Sequence, residues 1–137
     1  MPEYPQLLHT VLDTTKPREL AEFYRELLNL QYRPGDEPPG DETRDDADWL
    51  VLVDEAGTRS LAFQLVDELP QTTWPNHAVP MQLHVDYTVS SAEELERQRK
   101  RAEEIGARIL LDRSDDPGEP LYVFADPSGH PFCIFVA

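Results

Sequence analysis

The sequence predicts an α+β protein built from two copies of one strand–helix–strands unit. Three observations support this prediction. Short apolar runs of the β type alternate with two helical stripes, the two halves of the chain repeat the same order of elements, and a histidine stands at the same place in each half. A chain of 137 residues is long enough to bury a core without a disulfide or a structural metal.

The first half begins with a short apolar run at residues 7–12, which is compatible with a strand. Pro17 is tolerated in the first turn of a helix, and Asn29 is a plausible stop. Between them, apolar residues recur at helical spacing and predict one face turned to a core: Leu20, Phe23, Tyr24, Leu27 and Leu28. Two β-like runs, 49–53 and 61–66, predict a hairpin across the turn residues from Asp54 to Gly57.

The second half repeats this plan. Residues 83–89 are predicted to be a strand, and Ser90 and Ser91 precede Glu93 and Glu94 as a capping box. The helix that follows is predicted to end at Gly106. Three further strands are predicted at 108–111, 121–124 and 132–136, the last two as a hairpin.

The two halves can be aligned residue by residue. The spacing from His9 to Leu20 equals the spacing from His84 to Leu95. Each residue of the first pair lies 75 positions before its counterpart, a difference that we call the offset between the copies. The turn from Asp54 to Gly57 matches Asp126 to Gly129 at an offset of 72, and residues 63–66 match 132–135 at an offset of 69. This pattern indicates an internal duplication.

The net charge of the chain limits the kinds of molecule that it is expected to bind. The sequence holds 12 basic and 27 acidic residues, a net charge of −15, which disfavours nucleic acid and anionic membranes as partners. Residues 34–48 form an acidic, proline-rich stretch that is predicted to be a solvated loop or lid. One cysteine excludes an intramolecular disulfide, and residues 1–5 lack the pattern of a signal peptide, so a cytoplasmic location is expected.

A duplication of this kind predicts that equivalent side chains converge. His9 and His84 lie on the first strand of each copy, and Gln64 and Cys133 lie on the last strands, so the four are predicted to meet in a cup between the two sheets. Histidine and cysteine are good ligands for zinc and other late divalent ions, while the glutamine carbonyl is a weaker donor. The sequence therefore allows a metal site at His9, His84, Gln64 and Cys133.

Four motifs carry a resemblance to a known family. They are Leu-His-Thr-Val-Leu at 8–12, Phe-Tyr-Arg-Glu-Leu-Leu at 23–28, Leu-His-Val-Asp at 83–86 and Phe-Ala-Asp-Pro-Ser-Gly-His-Pro-Phe-Cys at 124–133. With them the chain resembles the vicinal oxygen chelate superfamily, and more closely its glyoxalase-like and bleomycin-resistance-like members. The resemblance implies one domain over residues 1–137, with paired βαβββ modules at about 5–69 and 80–137 joined by a linker at 70–79. Their sheets would curl around a pocket, and the protein would form a homodimer.

The resemblance also implies a place for a metal. Metal-using members such as glyoxalase I bind a divalent ion such as Zn, Ni, Fe or Mn through histidines or a glutamine on first strands and carboxylates on last strands. His9 and His84 stand at the first-strand positions, but Gln64 and Cys133 stand where carboxylates would be. Both departures remove a proton-transferring group, so glyoxalase I activity itself is not expected.

Two functions remain open. The first is a metal-free protein that binds a small organic molecule in the cup. The alternative is a metal-dependent lyase, isomerase or dioxygenase that uses His9 and His84 with Gln64 or Cys133. The pocket candidates each have a structural alternative. The histidines could be buried strand residues and Cys133 a small apolar core residue, while Gln64 is read as a hydrogen-bonding group. Trp74 could line the pocket or cap the core, and Asp86 could be a pocket group or orient a neighbouring ring.

Overall fold

A computed structural model describes residues 3–40 and 44–137. Two of the predictions fall partly outside these ranges. They concern the signal peptide, through Met1 and Pro2, and the acidic stretch, through Asp41 and Glu42. The chain divides into two compact units, residues 1–69 and 70–137, which we call module 1 and module 2. Neither helix in the described part of the chain has the length and apolar character needed to cross a membrane.

Module 1 contains one helix and one four-stranded sheet. Its elements are β1 (Thr10–Thr14), α1 (Pro17–Leu28), β2 (Gln31–Tyr32), β3 (Trp49–Val53) and β4 (Arg59–Leu65). The strand order is β1-β4-β3-β2, with β1 parallel to β4 and the other pairs antiparallel. The helix begins at Pro17 and is stopped by its C-cap residue Asn29, as predicted, and Asn29 takes the left-handed conformation.

Module 2 has the same arrangement. Its elements are β5 (Val85–Val89), α2 (Ala92–Glu104), β6 (Arg108–Arg113), β7 (Leu121–Ala125) and β8 (Pro131–Val136). The order is β5-β8-β7-β6, again with the first and last strands parallel. The predicted fold class is confirmed, because each module is a βαβββ unit with a mixed sheet. The Ser91 hydroxyl caps α2 by accepting a hydrogen bond from the Glu94 amide at 3.1 Å.

Aromatic side chains fill the space between each helix and its sheet. In module 1, Tyr24 of α1 stacks on Phe63 of β4 with ring centroids 6.0 Å apart. In module 2, Phe124 of β7 stacks on Phe132 of β8 at 5.1 Å. These four rings are buried, so each sheet has one face committed to a hydrophobic core and one face turned away from its helix.

The predicted duplication is visible in the hydrogen bonds of two turns. The Asp54 carboxylate accepts bonds from the amides of Ala56 and Thr58, both at 2.9 Å. In module 2, the Asp126 carboxylate accepts bonds from the amides of Ser128 and His130, at 2.9 and 3.0 Å. The offset of 72 that the sequence indicates for these turns is therefore confirmed.

The strand register corrects two predictions about the repeat. Val53 pairs with Arg59 and Leu52 with Leu61, so Ser60 is an extra residue, a β-bulge that module 2 lacks at this point. The bulge lowers the offset from 72 to 71, and Ala62, not Gln64, is the counterpart of Cys133. The predicted offset of 69 is therefore wrong by two residues.

The first strands also begin later than predicted. Strand β1 starts at Thr10 instead of residue 7, and β5 starts at Val85 instead of residue 83, because pairing with the last strand begins there. His9 and His84 consequently lie just before their strands. The two-residue strand β2 was not predicted, since its pairing with β3 depends on residues distant in sequence.

The described residues of the acidic stretch, 34–40 and 44–48, are in a loop, as predicted, but they are not simply solvated. Arg18 of α1 binds the Asp45 carboxylate at 2.6 Å and the Asp36 carbonyl oxygen at 2.6 Å. The Asp36 carboxylate in turn accepts a hydrogen bond from the Val51 amide of β3 at 2.9 Å. The described ends of the loop are thus attached to a helix and a strand of module 1.

Substitution of the two repeated turn residues provides a matched test of stability. Asp126 is only 3% exposed, so Asp126→Ala leaves two sheltered amides without their acceptor and should lower the free energy of unfolding by about 1–3 kcal/mol. Asp54 is exposed, and water can replace its carboxylate, so Asp54→Ala should cost less than about 1 kcal/mol. Urea denaturation of the full chain measures both, and equal losses would contradict the argument.

Candidate functional site

The face of each sheet that lies away from its helix carries the candidate residues. Residues that pair across neighbouring strands point to the same face of a sheet. In module 1 the face opposite Phe63 therefore carries two such pairs, Val11 with Ala62 and Trp49 with Gln64. The side chains of Val51, Val53 and Ala62 are buried there, and Trp49 packs against them. This face of module 1 is thus partly apolar and partly polar.

His9 stands beside Trp49 on this face. The two ring centroids are 5.8 Å apart and the ring planes are inclined by 53°. The Nδ1 atom of His9 is buried and has no hydrogen-bond partner among the described residues. A buried polar atom without a partner is costly, so it indicates a position where a further molecule can supply the missing group.

The charge state of His9 is set by its surroundings. Burial lowers the pKa of the imidazole below its usual value of 6.5, and the positive charges of Arg59 and Arg33 lower it further. The Arg33 guanidinium is already paired with Asp36 at 3.1 Å. Arg59 is partly buried and forms no ion pair or hydrogen bond through its side chain within residues 3–40 and 44–137. Module 1 therefore holds a neutral imidazole and, in the same region, a cation that pairs with none of the described residues.

Module 2 brings three different ligating groups together. His84 lies just before β5 and Asp86 is the second residue of that strand, and Nε2 of His84 lies 3.4 Å from Oδ1 of Asp86. Asp86 pairs in register with Cys133 on β8, so their side chains share a face. One ligand atom from each residue lies within 4.8 Å of the other two. Among the described residues, this is the one cluster of three or more histidine, cysteine or acidic side chains with such spacing.

The three groups differ in exposure. The side chains of His84 and Asp86 are 41% and 54% exposed, while Cys133 is only 7% exposed. Burial raises the pKa of the Cys133 thiol to about 12, with contributions from the Asp86 charge and from a hydrogen bond to Asp86. Without a cation, Cys133 is therefore a neutral thiol at pH 7, which makes it a poor nucleophile.

The described residues of module 1 form no equivalent of this cluster. The register places Val11 at the position of Asp86 and Ala62 at the position of Cys133, so only His9 of module 1 matches a ligating residue. Imidazole, carboxylate and thiolate are all suitable ligands for zinc and other late divalent ions. The donor set of module 2 fits such an ion, and the corresponding positions of module 1 do not.

The structure locates the remaining predicted site residues as follows. Gln64 is exposed and pairs in register with Asp13 and Trp49. Trp74 is half-buried in the segment before β5 and makes no ring contact with a described residue. The proposed metal set of His9, His84, Gln64 and Cys133 draws on both modules and stays a prediction. The structural alternative of two buried strand histidines does not hold, because both precede their strands and His84 is exposed.

Sequence reasoning missed two contributions to these sites. Arg59 follows directly on a turn, and only the bulge at Ser60 sets its position, so no periodicity could have singled it out. The sequence predicts Asp86 only as a pocket group or as a partner that orients a ring, and does not identify it as a metal ligand. The spacing of His84 and Asp86, two residues apart, places both side chains on one face of an extended segment and could have suggested a shared role.

Comparisons with known proteins agree with the fold. The sequence model of the family described as glyoxalase-like domain matches residues 9–135. A search of curated proteins found no match. Among solved structures, a possible glyoxalase from Bacillus cereus is 17% identical, with a TM-score of 0.61 over 94% of this chain and 96% of that one.

Two other solved structures are similar at this level. An enzyme of the glyoxalase/bleomycin resistance protein/dioxygenase family from Burkholderia phytofirmans is 13% identical, with a TM-score of 0.66 over 94% of this chain and 96% of that one. A variant of the fosfomycin resistance protein FosX from Listeria monocytogenes, complexed with Mn(II) and 1S,2S-dihydroxypropylphosphonic acid, is 18% identical. Its TM-score is 0.68 over 98% of this chain and 93% of that one. Identities this low show similarity of fold.

The lowered pKa of His9 predicts a pH dependence of stability. In the unfolded chain His9 takes up a proton near pH 6.5, whereas the folded chain takes it up only at a lower pH. The neutral imidazole therefore contributes stability that is fully present above pH 6.5 and is lost as the pH falls through the pKa of the folded state. The free energy of unfolding should therefore decrease between about pH 7.5 and about pH 5.5. In His9→Gln that decrease should be smaller, whereas in His77→Gln, which removes an exposed imidazole, it should be unchanged. Urea denaturation at the two pH values measures the free energy of unfolding. An equal decrease in wild type and in His9→Gln would contradict the prediction.

Proposed function

Because the chain belongs to the glyoxalase-like domain family of the vicinal oxygen chelate superfamily, we propose that it binds a small organic acid on the face of module 1 that carries His9 and Trp49. The observation that carries the proposal is the buried Nδ1 atom of His9, which has no partner among the described residues although the ring lies against Trp49. A neutral imidazole can donate from one nitrogen and accept at the other, so a bound molecule can satisfy this atom.

Trp49 supports the choice of an organic ligand. Its ring packs on Val51, Val53 and Ala62, which holds a large apolar surface in a fixed position beside His9. Binding sites for small molecules commonly combine such an apolar or aromatic wall with a few convergent polar groups. Gln64, which pairs in register with Trp49 and is exposed, adds an amide to the same face.

Arg59 supports the choice of an acidic group. The protein has a net charge of −15, yet this partly buried guanidinium has no acidic partner among the described residues. Its charge contributes to the lowered pKa of His9, so the cation and the imidazole are within electrostatic range. A carboxylate or phosphonate would neutralise Arg59 and accept a hydrogen bond from the imidazole.

A solved relative gives the proposal a chemical precedent. The FosX variant described above is complexed with a phosphonic acid as well as Mn(II). For this chain we propose binding without turnover, because module 1 has no carboxylate at the last-strand position and Ala62 stands there instead. A cytoplasmic location and a homodimer remain predictions from the sequence.

The proposal is tested with phenylphosphonate, which combines an aromatic ring with an acidic group. In a Trp74→Phe background, where Trp49 is the remaining tryptophan, the ligand should quench fluorescence to saturation at one equivalent. The apparent Kd should not change when EDTA is added. His9→Ala and Arg59→Ala should each weaken binding about 10-fold or more, since a hydrogen bond to a charged group contributes about 1.5–3 kcal/mol.

Two controls make this test specific. Arg108→Ala removes an exposed arginine of module 2 and should leave the Kd unchanged. Benzylamine has a similar ring but carries a positive charge, so it should not bind. Tighter binding of benzylamine than of phenylphosphonate would contradict the proposal and favour selection of cations by the acidic loop. Binding of phenylphosphonate that is unaffected by His9→Ala and Arg59→Ala would also contradict it.

A further inference from the structure

Three side chains of module 2 form a cluster that the proposed function does not use. His84, Asp86 and Cys133 each direct one nitrogen, oxygen or sulfur atom into a space where all three atoms lie within 4.8 Å of one another. The cluster is built by the fold, because β5 runs parallel to β8 and its register sets Asp86 beside Cys133. His84 joins from two residues before Asp86, at 3.4 Å from its carboxylate.

We infer that His84, Asp86 and Cys133 form a binding site for a zinc-type divalent cation that lies entirely within module 2. The three groups supply an imidazole nitrogen, a carboxylate oxygen and a sulfur, which zinc accepts together. Three protein ligands leave a fourth position for water or a bound molecule, as in open zinc sites. When the sulfur binds the cation, the thiol proton leaves to solvent and the ligand is the thiolate.

This site shares His84 and Cys133 with the predicted metal set but takes Asp86 in place of His9 and Gln64. The ligand set that the family resemblance implies takes residues from both modules and carboxylates from the last strands, whereas here the carboxylate is Asp86 on the first strand of module 2. The last strand contributes a thiol, and module 1 contributes nothing. The inference does not rest on the proposed binding of an organic acid, which uses residues of module 1 alone.

Exposure and charge favour binding of a cation at this place. His84 and Asp86 are each about half exposed, so an ion can reach the cluster from solvent, while the buried Cys133 fixes the inner ligand. The His84–Asp86 contact holds the imidazole and the carboxylate close to each other before the ion arrives. A protein of net charge −15 also attracts divalent cations over a distance.

The inference is tested by adding Co²⁺ to the full chain, purified without a metal-affinity tag, and recording its absorption spectrum. Cys133 is the only cysteine, so a thiolate-to-cobalt charge-transfer band in the near ultraviolet reports on this residue alone. The band should saturate at one equivalent and should disappear when Zn²⁺ displaces the cobalt. In Cys133→Ser the band should be absent. Competition with a chromophoric chelator should show Zn²⁺ binding weakened about 10-fold or more in Asp86→Asn and His84→Gln.

Matched controls separate loss of a ligand from loss of the fold. His77→Gln removes an exposed imidazole of module 2 outside the cluster and should keep the band and the Zn²⁺ affinity. Asp86→Asn changes one exposed side chain without changing its size, and circular dichroism checks that each variant is folded. The inference is overturned if wild type gives no charge-transfer band, if Cys133→Ser keeps it, or if folded Asp86→Asn and His84→Gln bind Zn²⁺ as wild type does. None of these results bears on phenylphosphonate binding.

Discussion

The parallel pairing of the first and last strand in each module is the constraint on which the candidate sites depend. The helix and two strands lie between these partners in sequence, so residues far apart in the chain become neighbours only when the pair forms. In module 2 this pairing sets Asp86 beside Cys133. A parallel pair cannot be closed by a tight turn, so the chemistry of the cluster depends on the folding of the whole module.

The two modules share a backbone plan but differ in the chemistry of the face that is free of a helix. Module 1 combines the ring of Trp49, the neutral imidazole of His9 and the cation of Arg59. Module 2 presents the cluster of imidazole, carboxylate and thiol. Both modules have the aspartate turn before the last strand and a buried apolar core on the helix side of the sheet, while the side chains on the other face differ.

Much of the architecture could be predicted because it depends on local sequence patterns, such as the spacing of apolar residues and the residues of turns. The stripe from Leu20 to Leu28 predicts α1, Asn29 marks its end, and the turns at Asp54 and Asp126 are confirmed by their hydrogen bonds. The parts that failed depend on distant residues. Strand β2 has only two residues and exists through its pairing with β3, and the first strands start where their partners allow.

By itself, the sequence determined the fold class, the duplication and the identity of the groups able to bind a ligand, since hydrophobic periodicity and turn residues act locally. Only the tertiary structure decided which of those groups meet. The bulge at Ser60 shortens the offset between the copies by one residue, whereas the sequence alignment implied three, so Ala62 and not Gln64 is the counterpart of Cys133. Pairing of distant strands also brings Asp86 beside Cys133, and the fold brings Trp49 beside His9. Register is a property of two strands together, and one inserted residue alters it without changing the apolar pattern of either strand.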